Sequence, residues 1–361
     1  MKEGIVCKFG GTSVANAAQI NKVKNIVTMN TKRQYVIVSA PGRDSSDDQK
    51  VTDHLLNVAT NGRHFRLQNK NITGQQSYEA VLGKFQRLID ELAIDGGDIL
   101  KNLEKDMKTP LPDVKRLDFM ASRGERYNAE VVSRYLKKQG IPSELVLPEE
   151  MGLTVTGDFS NARVIPVSYR NIKKKLSSIE GVSVIPGFYG VTEKGDIAVF
   201  SRGGSDLTGG EVAFSIEAGL YENWTDTDGI YRADPRLIPE AKVIPRLTYK
   251  EIRLLSSKGF DVFHYDAMVN CKKRNIPIQI RNTNNTNSEG TLIVSERVPE
   301  EVVVGIARKD NIAFIYIERD GAGETIGFVH DLLSVIKDYG IETYHYPTDR
   351  DDMTILINQD D

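Results

Sequence analysis

The chain is poor in the residues that mark a disulfide scaffold, a zinc site or a membrane span. Only two cysteines, Cys7 and Cys271, occur in 361 residues. With no CxxC and no Cys/His spacing they argue against a disulfide framework and a structural zinc, and a reducing cytoplasm is the simplest compartment. Five histidines leave little material for imidazole chemistry. No apolar run approaches the roughly 20 residues a bilayer-spanning helix needs, and the opening MKEGIVCKFGG has neither the length nor the order of a signal peptide. An excess of one charge is missing too. The net charge is −3 and the basic residues are scattered, so the footprint of a nucleic-acid binder is absent and basic residues in a site are left to serve a small anion.

What is present describes a water-soluble α/β protein longer than one average domain, so a large module and a smaller one are expected. GIVCKF at 4–9 reads as a buried strand broken by Gly10 and Gly11, after which Ile20, Val23, Ile26 and Val27 recur at helical spacing. YVIVSA at 35–40 is a second strand, which places Ser39 at the strand's C-terminal edge, where open α/β sheets bind ligands. Residues 41–53 are rich in charge and turn formers and predict a mobile loop over that edge, and 61–76 are similarly polar. Helical patterning dominates 80–140. Strands return at 143–148, 182–188 and 197–200 with GVTEKGD as a turn, and helical spacing resumes at Val212, Ile216 and Leu220. WTDTDGIYRADPR (224–236) reads as a strand end and a long irregular loop. Strands at 277–280 and 291–294 complete the first module, with a boundary near 298. Beyond it a βαββ order follows: strand 312–318, a helix carrying Ile326, Val329, Leu333 and Ile336, then strands 341–346 and 353–358. That unit is too small to complete a core by itself and is expected to pack on the large module or on a second copy.

Three strings carry candidate chemistry. KFGGTS (8–13) sets a lysine at a strand end, two glycines that let backbone amides face a ligand, and two hydroxyls before a helix N-terminus, an arrangement suited to phosphate. The lysine precedes the glycines, which disfavours a Walker-type loop. Alone, the hexamer is better explained as an ordinary strand-to-helix turn. SRGGSD (201–206) combines Arg202, Ser205 and Asp206 around glycines, and reads equally well as a solvated surface turn. WTDTDGIYRADPR is the third, and an ordinary Asx-rich loop is hard to sustain once three such strings follow strands in one chain.

KFGGTS, VSAPG, SRGE, PGFYG, SRGGSD and WTDTDGIYRADPR together resemble, in order, the motifs of the aspartate kinases of the amino acid kinase superfamily. The resemblance covers residues 1 to about 297, and residues 298–361 resemble the first half of the ACT regulatory region of that family. It implies an open, three-layer, mainly parallel α/β sheet followed by an α+β ACT-like segment, and transfer of phosphate from MgATP to L-aspartate. By that likeness Lys8 meets the transferring phosphoryl group and Asp206 holds the lysine and the metal-bound phosphates. Gly10, Gly11, Thr12 and Ser13 line the phosphates. Ser39, Thr52, Glu125, Phe188, Arg202 and Ser205 match positions around aspartate, with Arg202 suited to the α-carboxylate and Glu125 to the α-ammonium group. Thr225, Asp226, Tyr231, Arg236 and Lys258 match the nucleotide side, although Lys258 sits one position closer to His264 than the family's lysine does. No side-chain metal ligand is assigned beyond this, because Mg²⁺ travels with ATP. Phe328, Val329, Glu342, Thr343 and Tyr344 match effector-contacting positions, for lysine or threonine, and serve a βαββ core equally well; a homodimer or higher homo-oligomer through this region is implied. His54 reads as a loop residue, His264 as a core histidine and Trp224 as core beside the nucleotide loop.

The chemistry suits the composition. A carboxylate with pKa about 3.9 is already ionised at neutral pH and needs no general base. The obstacle is repulsion between two anions, met by cations, Mg²⁺ and oriented amides. Rivals are a related kinase for glutamate, acetylglutamate or a nucleoside monophosphate, which SRGE with Arg202 disfavours, and an inactive effector-binding homologue, which the retained Lys8, Asp206 and nucleotide loop disfavour.

Overall fold

The computed structural model describes residues 4–45, 48–68, 70–201, 203–257, 263, 266–299 and 301–359. The chain divides into two compact units, Met1–Ile306 and Ala307–Asp361. The first is built on an eight-stranded sheet whose order is Ser143–Leu145, Val182–Pro186, Tyr35–Val38, Ile5–Phe9, Leu220–Thr225, Ile278–Asn282, Thr291–Val294 and Arg246–Thr248. Neighbours are parallel except Ile278–Asn282 with Thr291–Val294. The central strands are apolar on both sides, as a covered parallel sheet requires. Ile5, Cys7 and Phe9 join Val36, Val38 and Val184 in one core with helices Ala17–Thr28, Gly74–Leu92 and Asp113–Lys138. The other face takes helix Gly204–Ile216 against strand Ile5–Phe9, with Val167–Leu176 and Asp266–Lys273 packed on that helix. Its Thr-Gly-Gly run explains the closeness: a Cβ at Gly209 would stand 2.5 Å from the Tyr221 hydroxyl and one at Gly210 would stand 2.3 Å from the Ala267 carbonyl oxygen.

Several local expectations are corrected. The segment read as one loop over 41–53 ends in a helix, Val51–Ala59, because Val51 and Leu55 are one helical turn apart and both buried. His54 therefore lies on a helix, buried, with Nδ1 3.1 Å from Ser77 Oγ. The polar stretch 61–76 contains the start of helix Gly74–Leu92, signalled by a capping box in which Thr73 Oγ1 accepts the Gln76 amide and Gln76 Oε1 accepts the Thr73 amide. GVTEKGD is not all turn: Tyr189–Thr192 is a strand paired antiparallel with Ile197–Val199, in a small sheet with Thr154–Val155. The strand expected over 143–148 stops at Leu145, and Pro148 opens a short helix. Leu220 belongs to a strand, since Glu217 at φ 55° ends the preceding helix.

The second unit has the βαββ order: Ile312–Glu318, helix Phe328–Asp338, Thr343–His345 and Asp352–Asn358, with the last strand central and antiparallel to both others. Ile326 lies before the helix and is exposed. Met353, Ile355 and Ile357 form its core under Val329, Leu332, Leu333 and Ile336.

Candidate active site

Strand alternation decides where the site begins. With Ile5, Cys7 and Phe9 committed to one core, Lys8 points to the opposite face near the strand's end. Its Nζ lies 2.5 Å from Asp206 Oδ1, and both side chains are close to nine-tenths buried. Asp206 occupies the first turn of helix Gly204–Ile216, where the helix dipole favours a carboxylate. Asn223 Nδ2 donates to the same oxygen at 2.7 Å, so the carboxylate is fixed from the neighbouring strand as well.

The glycine turn follows directly. Gly10 donates its amide to the Trp224 carbonyl at 3.0 Å and Gly42 donates to the Gly11 carbonyl at 2.9 Å. A Cβ on Gly42 would stand 2.5 Å from the Gly11 carbonyl carbon, so the turns at these adjacent strand ends can lie against each other only with glycine at 42. Ser13 faces inward, accepting from Thr283 Oγ1 at 2.7 Å and donating to the Trp224 carbonyl. Trp224 is 1% exposed, in the core.

The other end of the cleft is set by the helix Asp113–Lys138. Gly124 packs so closely on Ala40 that a Cβ would come within 2.6 Å of it, and Asn128 Nδ2 donates to the Ser39 carbonyl at 2.7 Å. The same contact brings Glu125 to the strand-end turn. It is 5% exposed, its Oε2 has no hydrogen-bond partner, and burial pushes its carboxyl up to about 8, with the Ala40 and Glu125 amides and the Lys8 charge pulling the other way. Phe188 sits at φ 79°, the left-handed region that costs a bulky residue strain, held by its amide's bond to Thr208 Oγ1 and its carbonyl's bond from Phe200.

One cavity of about 980 Å³ collects Lys8, Gly10, Gly11, Thr12, Ser39, Thr52, Glu125, Phe188, Ser205, Asp206, Thr225 and Asp226. Ser13, Tyr231 and Arg236 do not line it; Arg236 is exposed and bonded to Asp234. Arg202, Lys258 and His264 lie outside the described residues. Sequence reasoning missed a charged rim: Arg43, Lys50, Asp53, Arg63, His64 and Arg66 also border the cavity. Asp53 Oδ1 receives Arg66 Nη1 at 3.1 Å and stands 3.5 Å from His64 Nε2. The available signal was the T-D pair at the start of the helix Val51–Ala59, with two arginines and a histidine ten to thirteen residues on. Behind the floor, Glu222 accepts from Arg33 through Nε and Nη2 at 2.8 and 2.9 Å and from Trp224 Nε1 at 3.0 Å.

Among the described residues no group of three or more His, Cys, Asp or Glu side chains is placed to hold a metal ion, and no helix is long and apolar enough to cross a membrane. A single carboxylate beside a lysine and free amides fits a Mg²⁺ that keeps most of its ligands from phosphate and water. In the second unit, Phe328 and Val329 open the helix and Thr343 and Tyr344 lie on a strand. Glu342 is exposed, and Lys309 Nζ lies 3.2 Å from the centre of the Tyr344 ring.

A model of the amino acid kinase family matches residues 3–282, and aspartokinase 3 of Bacillus subtilis is 39% identical over 98% of this chain and 78% of its own length. The chain belongs to the amino acid kinase family, among the aspartokinases. Its likeness to Arabidopsis thaliana aspartokinase 1 is 27% over 94% of this chain and 61% of that one. The crystal structure of Clostridium acetobutylicum aspartate kinase superposes with a TM-score of 0.83 at 34% identity, over 98% of this chain and 78% of that one. E. coli aspartokinase III, solved with aspartate and ADP, shares the fold with a TM-score of 0.75 at 21% identity, over 99% of this chain and 79% of that one. The large, mostly parallel sheet is thus the fold of the family.

Proposed function

We propose that the chain transfers the γ-phosphoryl group of MgATP to the β-carboxylate of L-aspartate, giving 4-phospho-L-aspartate and ADP. The observation that carries this reading is a single cleft with a buried lysine and a glycine turn at one end and, at the other, a buried carboxylate with one oxygen left without a partner. Lys8 serves the transferring phosphoryl group, and the turn Gly10–Gly11–Thr12 serves the nucleotide phosphates through the Gly11 and Thr12 amides, the Gly10 amide being held by the Trp224 carbonyl. Asp206 orients Lys8. Mg²⁺, entering on ATP, offsets charge on the phosphates. Glu125 takes the α-ammonium group, which supplies the missing partner for its Oε2, while Ser39, Thr52, Phe188 and Ser205 surround the rest of the amino acid, and Arg202 is assigned the α-carboxylate by the family resemblance alone. The nucleophile arrives ionised, so no side chain has to remove a proton.

The second unit is read as regulatory. E. coli aspartokinase III has been solved with lysine and aspartate, and this chain's Phe328, Val329, Glu342, Thr343 and Tyr344 stand for an effector such as lysine or threonine. Its edge strand Ile312–Glu318 leaves Phe314 71% exposed, which favours a homo-oligomer through this unit. The test of the catalytic reading is a hydroxamate assay with aspartate, ATP and Mg²⁺, run beside glutamate, acetylglutamate and UMP with ADP release as the readout. Turnover with aspartate alone is expected; turnover with another acceptor and none with aspartate overturns it.

A further inference from the structure

The loop 225–236 is held from outside the cleft. Tyr231 pairs antiparallel with Val243, Arg232 donates its amide to the Lys242 carbonyl at 2.9 Å, and Ile244 donates to the Ile230 carbonyl at 2.7 Å. These bonds tie the loop to residues 242–244, and Asp228 and Ile230 are tied to Asn282, Asn285 and Thr291. The loop's outer side meets the end of the first unit. Ile306 donates its amide to the Arg232 carbonyl at 2.7 Å, Glu301 pairs with the Arg232 guanidinium, and a Cβ on Gly305 would stand 3.3 Å from the Arg232 carbonyl oxygen. Val302 is fully exposed, Val303 is 58% exposed and Ile306 66%, and the segment spans, without filling, a cavity of about 420 Å³ lined by Ile244, Leu292, Arg297, Val303 and Val304. Beside the close approach of Gly305 to Leu255 and Ile244, the polar fastening among the described residues is one backbone bond and one ion pair, both to Arg232.

We propose that residues 301–306 are a strap that positions the nucleotide loop through Arg232, making Glu301 a positioning residue for nucleotide although it does not border the catalytic cleft. The proposal rests on the reading of 225–236 as the nucleotide side. If the strap sets the shape of that loop, loosening it raises the cost of ordering the loop around ATP and leaves the aspartate end, built on the 113–138 helix and the 39–42 turn, untouched. The strap also continues directly into the second unit at Ala307.

Steady-state kinetics of the full chain, with the dissociation constant of a non-hydrolysable ATP analogue measured by calorimetry, test this. Glu301→Gln keeps the size of a half-exposed side chain and removes its charge. It is expected to raise the KM for MgATP and the analogue's Kd about fivefold while kcat and the KM for aspartate stay within about twofold. The charge exchange Arg232→Glu with Glu301→Arg is expected to recover most of the loss, and Val302→Ser to change nothing. Tyr231→Ala reports on the underlying reading. If it raises the analogue's Kd and Glu301→Gln does not, the strap is overturned alone; if Tyr231→Ala has no effect on Kd, the nucleotide assignment of the loop falls and the strap with it. Equal rises in both KM values for Glu301→Gln mean general damage and also overturn the proposal.

Discussion

The floor and the rim of the cleft are built in opposite ways. On the floor, Lys8, Asp206, Asn223 and Glu125 are buried, sit on strands and helices, and are fixed by short bonds or, for Glu125, by packing and backbone amides that leave one oxygen without a partner. On the rim, Arg43, Lys50, Arg63 and Arg66 are exposed and come from the stretch between two strands of sequence, 43–66. The contrast fits a division of labour in which preorganised charge does the chemistry and exposed charge admits and covers the reactants. Substitutions on the floor should therefore be costly and specific, and those on the rim mild and sensitive to salt.

The largest effect is expected behind the floor. Glu222→Ala leaves Arg33, 6% exposed, without its carboxylate, and losing one partner of a buried pair costs about 3–5 kcal/mol. Urea unfolding measures it; a loss below about 1 kcal/mol would mean that this network does not support the strand carrying Asn223. Lys8→Ala removes the cation that pairs with Asp206 and should lower kcat on the order of 10²–10³-fold, with the unfolding midpoint as the control for structural damage. A rise in KM with kcat unchanged would move Lys8 from the reacting group to ground-state binding.

Glu125 sharpens the comparison because its charge state depends on what fills the cleft. Glu125→Gln should raise the KM for aspartate about tenfold or more, the range of a hydrogen bond between charged groups. In the native chain the KM for aspartate should fall as pH rises toward about 8, where the carboxyl ionises. The stability effect runs the other way. Between the ordinary carboxyl value of 4.5 and about 8 the folded state keeps a proton that the unfolded state has released. Stability is therefore lost as pH rises through that window. Glu125→Gln removes the loss, so thermal midpoints of the two proteins should diverge in favour of the variant above pH about 8 and converge near pH about 4. Parallel curves across that range would show that Glu125 is not the group held neutral.

The same contrast accounts for what could be read from sequence. Part of the floor was legible locally, as a lysine at a strand end followed by glycines and as SRGE in a helical stretch, whereas the roles of Asp206 and Glu125 followed from the family resemblance and nothing local marked Asn223. The core strands followed from unbroken apolar runs. The rim was not legible, since a polar stretch reads as loop even when Val51 and Leu55 share a helical face and Thr73 and Gln76 cap a helix. Tyr189–Thr192 was lost to a turn signal that belongs only to its last residues. Nothing local marks Glu222 or Arg33, 189 residues apart, as partners.

The smallest effect is expected at the rim, and it separates a cover from a wall. Arg66 is 40% exposed and shares Asp53 with His64, and an exposed pair of this kind contributes about 0.2–1 kcal/mol. Arg66→Ala should leave stability nearly unchanged and raise the KM for aspartate about two- to fivefold, an increment that shrinks as salt approaches about 1 M because the screening length falls to about 3 Å. A preformed wall would show the same increment at every ionic strength. If the segment closes over the reactants, limited proteolysis between 43 and 66 should slow when aspartate and nucleotide are added together, and Arg66→Ala should weaken that protection without changing the rate in the free protein. Cleavage at one rate under all conditions would leave 43–66 as a static border, and the burial of the reacting groups would then rest on the floor alone.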